Sequence, residues 1–388
     1  MSTQLWLLGA AGFISVGAFR ISDPLLPKIA EDFSTSVGGA AVSVTAFSFG
    51  YAIFQLLNGP LGDRLGKLRV IRGALVLTSI AIAACALSGS MNALTAWRFV
   101  TGMTAGAIAP LAMAHIGDTV AYEMRQAVIG RFLMACLIGQ MMAGSLAGVF
   151  AEYFGWRFAF VVFGAIGLLI AACLWRPASR AARPAHDGGG NARTTHFELL
   201  RDAQARNIWT AAFFEGFLTM GAVTYAGAFL KLEFALDYAT IGLVLASMGV
   251  GGIIYTLNVR WLLKRLGERG MVVSGGVLVT AGYGIVAVSP VWQWLVPALG
   301  FIGLGFYLMH GILQVRATEI APRARGTALG GFVFYLLLGE GAGVFALGYV
   351  VDGPGYRAAF AITTGAIVVF ALWLYRALFG ARAAKTPG

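Results

Sequence analysis

Residues 125–160, RQAVIGRFLMACLIGQMMAGSLAGVFAEYFGWRFAF, and residues 325–360, RGTALGGFVFYLLLGEGAGVFALGYVVDGPGYRAAF, decide how this chain is built. The two stretches keep one register two hundred positions apart. It sets Arg125 against Arg325, Gly130 against Gly330, Gly139 against Gly339, Gly148 against Gly348, Gly155 against Gly355, Arg157 against Arg357 and Phe160 against Phe360. Nearer the start of each half the offset is 204: FISVGAF from Phe13 resembles FLTMGAV from Phe217, and Ser36-Val37-Gly38 answers Thr240-Ile241-Gly242. The chain is one unit written twice, an arrangement that in membranes places a central site between two halves.

The 388 residues are 59% apolar and only 12% charged, with a mean hydropathy of +0.79. A soluble domain carries about 25% charged residues, so most of this surface must face lipid. Bounding apolar runs of about 18 to 25 residues by charges, Pro and Gly yields twelve spans, beginning near residues 5, 38, 70, 93, 126, 158, 207, 238, 271, 292, 326 and 357. Backbone groups in hydrocarbon find no water to pair with, so each span is read as a helix. Frequent Gly and Ala let such helices approach closely. The first apolar run lacks a basic leading region and is long enough to span, so it is expected to stay in the mature protein. The expected fold is an all-α membrane protein of twelve transmembrane helices in two pseudo-symmetric six-helix bundles. Residues 1–175 and 207–380 form the bundles, 176–206 a hydrophilic linker and 381–388 a tail.

Twelve spans put both termini on one side. Of the 28 Lys and Arg, 22 fall in the segments on that side, four (Lys28, Arg157, Lys231 and Arg357) in the opposite loops, and Arg20 and Arg98 inside spans. This asymmetry places both termini in the cytoplasm, with a bacterial inner membrane as the expected location. The net charge of +11 follows from topology. Scattered over short loops without a reader motif, it gives no reason to expect nucleic acid as a partner, and it faces anionic membrane lipids instead. The linker holds His186, and His196 lies close by, but without Cys the pair falls short of metal-ligand spacing. Cys85, Cys136 and Cys173 all fall within spans, form no disulfide framework and read as small packing residues.

After span 2 comes GPLGDRLGKLR, residues 59–69. A carboxylate at a helix end, a reversing Gly and flanking cations make a compact charged clasp. It resembles the loop signature of the major facilitator superfamily, G-x-x-x-D-R-x-G-[RK]-[RK], with Gly59, Asp63, Arg64, Gly66 and Lys67 in register and Leu68 departing. RFVTG at 98–102, GWRFAF at 155–160 and IAPRARGTALG at 320–330 extend the resemblance along the chain, and KRLGER at 264–269 is a degenerate second clasp with Lys264 in place of Asp63. The resemblance implies a transporter that works by alternating access as a monomer. It further implies a gating loop at 59–67 that latches the halves with Asp63 facing the start of span 11, a cavity lined by spans 1, 4, 7 and 10, and a proton gradient in place of a cofactor. The antiporter pattern of span 5 is partly kept: Gly130, Gly139 and Gly148 fit, while Ala143 and Gly144 replace its Gly-Pro. PLLPKIAEDF at 24–33 and GWRFAF resemble the sugar-efflux and multidrug-efflux branches.

Ionisable groups inside spans are the first candidates for function, since a charge at the bilayer centre costs ~2.5 to 3.5 kcal/mol on insertion scales. Arg20 and Asp23 lie three apart on one face of span 1, either as a mutually neutralising pair or as a substrate or proton site. Arg98 in span 4 matches a family Arg implicated in proton coupling, where a fixed cation tunes the proton affinity of a nearby carboxylate. Glu215 in span 7 and Glu340 in span 11 read as unpaired carboxylates able to carry protons, because desolvation disfavours their charged form. Glu340 stands where the first half has Gln140, so the repeat itself does not require an acid there. Gln140, Tyr225, His310 and Gln314 complete the expected lining.

The leading expectation is proton-coupled export of small organic compounds, drugs or sugar-like metabolites. The alternative is proton-coupled uptake of a small organic anion, with Arg20 or Arg98 binding its carboxylate. There is no nucleotide-binding GxxxxGK[ST] loop and no nucleophile, base and metal constellation, so neither ATP-driven pumping nor an enzyme is expected. Because the clasp lies far from the midplane, Asp63→Asn should slow transport while leaving substrate affinity within about twofold. Equal losses in turnover and in binding to the purified protein would contradict this placement.

Overall fold

The structure is a computed structural model that describes residues 3–175, 196–321 and 325–380. Eleven stretches in it are helical, long enough and apolar enough to cross a bilayer. They are span 1 (Thr3–Asp32), span 2 (Val37–Gln55), span 3 (Lys67–Ala86), span 4 (Met91–Thr119), span 5 (Tyr122–Phe154), span 6 (Trp156–Trp175), span 7 (Ala203–Phe234), the Tyr238–Val288 stretch, span 10 (Trp292–Ile320), span 11 (Gly326–Asp352) and span 12 (Tyr356–Phe379). At about 1.5 Å per residue, the 51 residues of Tyr238–Val288 are about two and a half times as long as a bilayer core is thick. Gly267, at φ 61° and ψ 176°, breaks this stretch inside KRLGER and separates spans 8 and 9. The expected twelve spans are therefore present. Span 7 starts at Ala203, a few residues earlier than expected, because Asp202 accepts from Gln204 N and Ala205 N and caps it there. Residues 176–195, with His186, and the tail at 381–388 lie outside the described residues.

The two halves repeat one packing scheme. Span 1 lies on span 5, span 2 on span 4 and span 3 on span 6, while span 7 lies on span 11, span 8 on span 10 and span 9 on span 12. The glycines of the repeat make these contacts close. A Cβ at Gly139 would sit 2.4 Å from Phe13 O, and one at its partner Gly339 would sit 1.9 Å from Phe213 O. Without lipid-excluding force between apolar helices, such backbone proximity supplies the dispersion that holds the bundle. Between the halves, span 2 meets span 11 and span 5 meets span 8.

Spans 1 and 7 are both interrupted, and at equivalent places. Span 1 is α-helical over Thr3–Arg20, turns through a 3-10 segment at Asp23–Leu25 and resumes at Leu26–Asp32. Pro24 and Pro27 lack the N–H groups that would continue the first helix. Span 7 passes through a π-helical segment, Gly216–Met220, and turns at Thr224 and Tyr225 before resuming at Ala226–Phe234. The breaks touch: a Cβ at Gly227 would lie 2.9 Å from Asp23 O. Irregular backbone at membrane depth is tolerated where it lines a cavity or is buried in protein, so this meeting point is where a site can form.

Packing of span 4 on span 2 sets a direct test. A Cβ at Gly102 would lie 2.1 Å from Phe47 O, whereas one at Gly73 would meet nothing within 4 Å. Gly102→Val should destabilise the protein by about 1 to 3 kcal/mol of overpacking strain, and Gly73→Ala should be neutral or stabilising. The thermal unfolding midpoints of the two purified variants check the order.

Candidate functional site

At the meeting of the two breaks, Arg20 ends the first helix of span 1 with only 7% of its surface exposed. Its Nη1 donates to Asp23 Oδ2 at 3.1 Å, a contact the three-residue spacing allows. Its Nη2 points across to the other half. It lies 3.2 Å from Glu340 Oε1, as an ion pair without hydrogen-bond geometry, and 2.9 Å from Met220 Sδ in the π-helical segment. The Phe19 ring lies 5.1 Å from the guanidinium. One cation is thus shared by two carboxylates, one from each half.

This arrangement corrects the reading of Glu340 as an unpaired acid. Glu340 is 2% exposed and its partner is Arg20, 320 residues away in the sequence. Glu215 is also paired, with Oε2 3.0 Å from His310 Nδ1, and the imidazole sits between the Phe306 and Phe332 rings. That pair belongs wholly to the second half. Arg98 is fully buried and donates from Nη1 to Ala18 O at 2.8 Å, with its guanidinium 4.3 Å from the Phe47 ring. It makes no ion pair among the described residues. It braces the last turn of the helix that presents Arg20, and Asp23 is the carboxylate within its electrostatic reach.

A cavity between the halves is lined by Arg20, Asp23, Gln140 and Tyr307 on its polar side and by Leu137, Met141, Val223, Leu245 and Met248 elsewhere. Gln140 therefore shares the cavity with Arg20, as expected. Tyr225 does not line it: its hydroxyl donates to Val344 O at 2.6 Å and ties span 7 to span 11. Gln314 is exposed on span 10, apart from the charged centre. Sequence reasoning passed over Tyr307, which lies one helical turn before His310 and could have been found from that spacing. It also passed over Tyr283, whose hydroxyl donates to Thr219 O beside the π-helical segment. Ser22 Oγ, Asp23 Oδ1, Thr219 Oγ1 and Glu340 Oε1 are buried without hydrogen-bond partners. Unsatisfied polar atoms of this kind are rare in proteins, and these four lie on the two interrupted spans and span 11 around Arg20, while others fall on Arg72, Ser88, Arg98, Arg125 and Glu215.

The gating loop runs over the short helix Asn58–Leu65 to Gly66, whose φ of 87° turns the chain into span 3. Arg64 is exposed, and the side chain of Asp63 lies outside the described residues. Lys67 pairs with Asp118 at the end of span 4. In the second half Glu268 pairs with Arg316 at 2.6 Å, the equivalent bridge between spans 9 and 10 with its charges exchanged.

Twelve spans in two repeated halves, with a charged centre on interrupted helices between them, define a membrane transport protein. The profile of the Major Facilitator Superfamily matches residues 8–343 and 228–388, and the chain belongs to that family. It is 26% identical over 388 residues to the MFS-type transporter YceJ of Bacillus subtilis (strain 168), covering 97% of this chain and 96% of YceJ. It is also 26% identical over 360 residues to the inner membrane transport protein YnfM of Escherichia coli (strain K12), at 90% and 85% coverage. The hexuronate transporter of Bacillus subtilis (strain 168) is 25% identical over 398 residues, at 95% and 91% coverage. Among solved structures, a bacterial homologue of the human lysosomal transporter Spinster, inward-facing and occupied, superposes with a TM-score of 0.79 at 17% identity, covering 99% of this chain and 98% of that one.

Removing the shared cation should be worse than neutralising one acid. Arg20→Leu leaves Asp23 and Glu340 buried without a counter-charge and should cost about 3 to 5 kcal/mol, while Glu340→Gln, which leaves the Arg20–Asp23 pair, should cost clearly less. Adding Glu340→Gln to Arg20→Leu should recover part of the loss. Unfolding midpoints of the three variants measure this non-additivity.

Proposed function

We propose that this chain is a proton-coupled secondary transporter of small, partly apolar organic anions, with Arg20, Asp23 and Glu340 as its coupling centre. One observation carries the reading: the guanidinium of Arg20 is divided between acids of the two halves. With both acids ionised, Arg20 is fully engaged. A proton on Glu340 weakens its hold on Nη2, and that donor then turns to a substrate carboxylate, for which the planar fork is suited. Proton and anion therefore bind together, and the proton gradient drives uptake. Proton-driven export of small organic compounds, drugs or sugar-like metabolites, gives no role to a fixed cation, whereas Asp23 and Glu340 both face Arg20. The cavity agrees with this substrate class, offering one charged corner, Gln140 and Tyr307 as hydrogen-bonding groups, and apolar walls for the remainder. A relative whose name specifies hexuronate, an organic anion, lends further support.

Every group in the centre comes from one chain, so a monomer suffices. The Lys and Arg asymmetry supports cytoplasmic termini, and the relative named as an inner membrane protein supports that membrane as the location.

In proteoliposomes, an acid-outside gradient should accelerate entry of at least one member of a panel of hexuronates and aromatic carboxylates. Neutral nucleosides and lipophilic cations should not respond. Glu340→Gln should abolish the gradient dependence while leaving substrate exchange without a gradient within about threefold, because the substitution removes the proton site and leaves Arg20 in place. Gradient-driven movement of cations out of the vesicle lumen against protons would return the assignment to export.

A further inference from the structure

The halves close on one another at the end that carries the loops after spans 1, 5, 7 and 11. There Asp352, the last residue of span 11, accepts from Ser36 Oγ at 2.6 Å and from Gly38 N at 3.0 Å, at the start of span 2. Glu152, near the end of span 5, accepts from Tyr238 N at 2.8 Å, at the start of span 8. Glu152 and Asp352 are two hundred positions apart, and they meet the starts of spans 2 and 8, which the repeat relates, Asp352 at Ser36 and Gly38 and Glu152 at Tyr238, two residues before Thr240. Each half hands a carboxylate to a helix start in the other half.

The caps made within each half serve other N–H groups of the first turn than those that donate to the exchanged carboxylates. Ser36 Oγ already accepts from Gly39 N at 3.0 Å, and Asp237 Oδ1 already accepts from Thr240 N at 2.8 Å. The exchanged carboxylates add a further acceptor that is present only while this end is shut. Repeated glycines make the approach possible: a Cβ at Gly38 would lie 2.4 Å from Asp352 Oδ2 and 2.8 Å from Gly348 O, and one at Gly148 would lie 2.2 Å from Tyr238 O. The four cations of this end are occupied inside their own halves. Lys28 pairs with Glu31, Arg157 with Asp32 and Arg357 with Glu233, and Lys231 donates to Leu236 O. Among the described residues, no Lys or Arg at this end pairs across the gap.

We infer that Asp352 and Glu152 are exchanged helix caps that hold this end closed and so set the balance between the two access states. Helix-start N–H groups carry partial positive charge and are hydrated when the end opens, so the caps release without stranding a buried polar group. Asp352 makes two bonds and Glu152 one, which makes the contact of span 11 with span 2 the firmer of the two. Both are positioning residues, remote from the charged centre, and the inference holds whichever substrate and direction apply.

The test is a distance measurement across this end in the full-length protein in lipid nanodiscs. Leu87 and Val288, 86% and 76% exposed, mark it in the two halves. With Cys85→Ala, Cys136→Ala and Cys173→Ala as background, Leu87→Cys and Val288→Cys carry spin labels for double electron–electron resonance. In Asp352→Ala with Glu152→Ala, the longer-distance population should rise by about fivefold relative to the background. Asp352→Ala alone should give a smaller rise, and Asp352→Asn, which keeps an acceptor oxygen, a smaller one still. Asp237→Ala, which removes a cap made within one half, should leave the distribution unchanged. An unchanged distribution in Asp352→Ala, or an equal rise in Asp237→Ala, would overturn the inference.

Discussion

Arg20 is a cation in an apolar bundle, where hydration is not on offer and every stabilising contact must come from the protein. Much of the centre of the molecule is arranged to meet that need. Asp23 reaches it over a three-residue spacing, and the prolines at 24 and 27 interrupt the α-helix beside that pair. Glu340 reaches it only because span 11 crosses close to span 1, which the packing of Gly339 on Phe213 O and of Gly343 on Phe217 O allows by drawing span 11 tightly onto span 7. Arg98 donates to Ala18 O from span 4 and holds the carrying helix from behind. Four spans from both halves therefore converge on one guanidinium. Its partners could not be replaced by solvent without opening the bundle.

Symmetry and its absence divide the labour. Contacts that join the halves include repeat-related sets, Gly38 with Gly348 and Asp352 on one side, Gly148 with Gly242 and Glu152 with Tyr238 on the other. The charged centre has no such pairing. At the offset of 204, Arg20 corresponds to Thr224 and Asp23 to Gly227, and at the offset of 200 Glu340 corresponds to Gln140. Duplication supplied a frame that closes evenly about its axis, and the departures from duplication placed one charge cluster within it. A second copy of the cluster would add another buried cation and two more acids to the same cavity, each carrying its own desolvation cost.

That division also explains what the sequence makes legible. Hydropathy and the repeat register reveal the spans, their order and the pairing of halves, because each rests on local composition or on similarity within the chain. Even the boundary between spans 8 and 9 is visible in KRLGER, where Gly267 leaves the helical conformation. Arg20 with Asp23 is legible too, being a contact over three residues. Glu340 stands out by its mismatch with Gln140, but its partner does not, since the contact with Arg20 depends on how two helices 320 residues apart are rotated. Tyr225 was misassigned for the same reason: its position in span 7 is right, but rotation about the helix turns its hydroxyl to Val344 O and away from the cavity.

Rotation and ownership also decide which buried acid can couple to movement. Glu215 and His310 both belong to the second half, so when the halves rock as bodies their 3.0 Å contact travels unchanged. On the proposed reading, a pair that moves as one body is the weaker candidate for biasing one access state over the other. Glu340 differs because its counter-charge sits in the opposite half. On the proposed reading, rocking alters that contact, and by reciprocity a proton on Glu340 alters the preference for one state. Burial alone makes an acid a candidate; a partner across the moving boundary is what gives Glu340 the stronger claim.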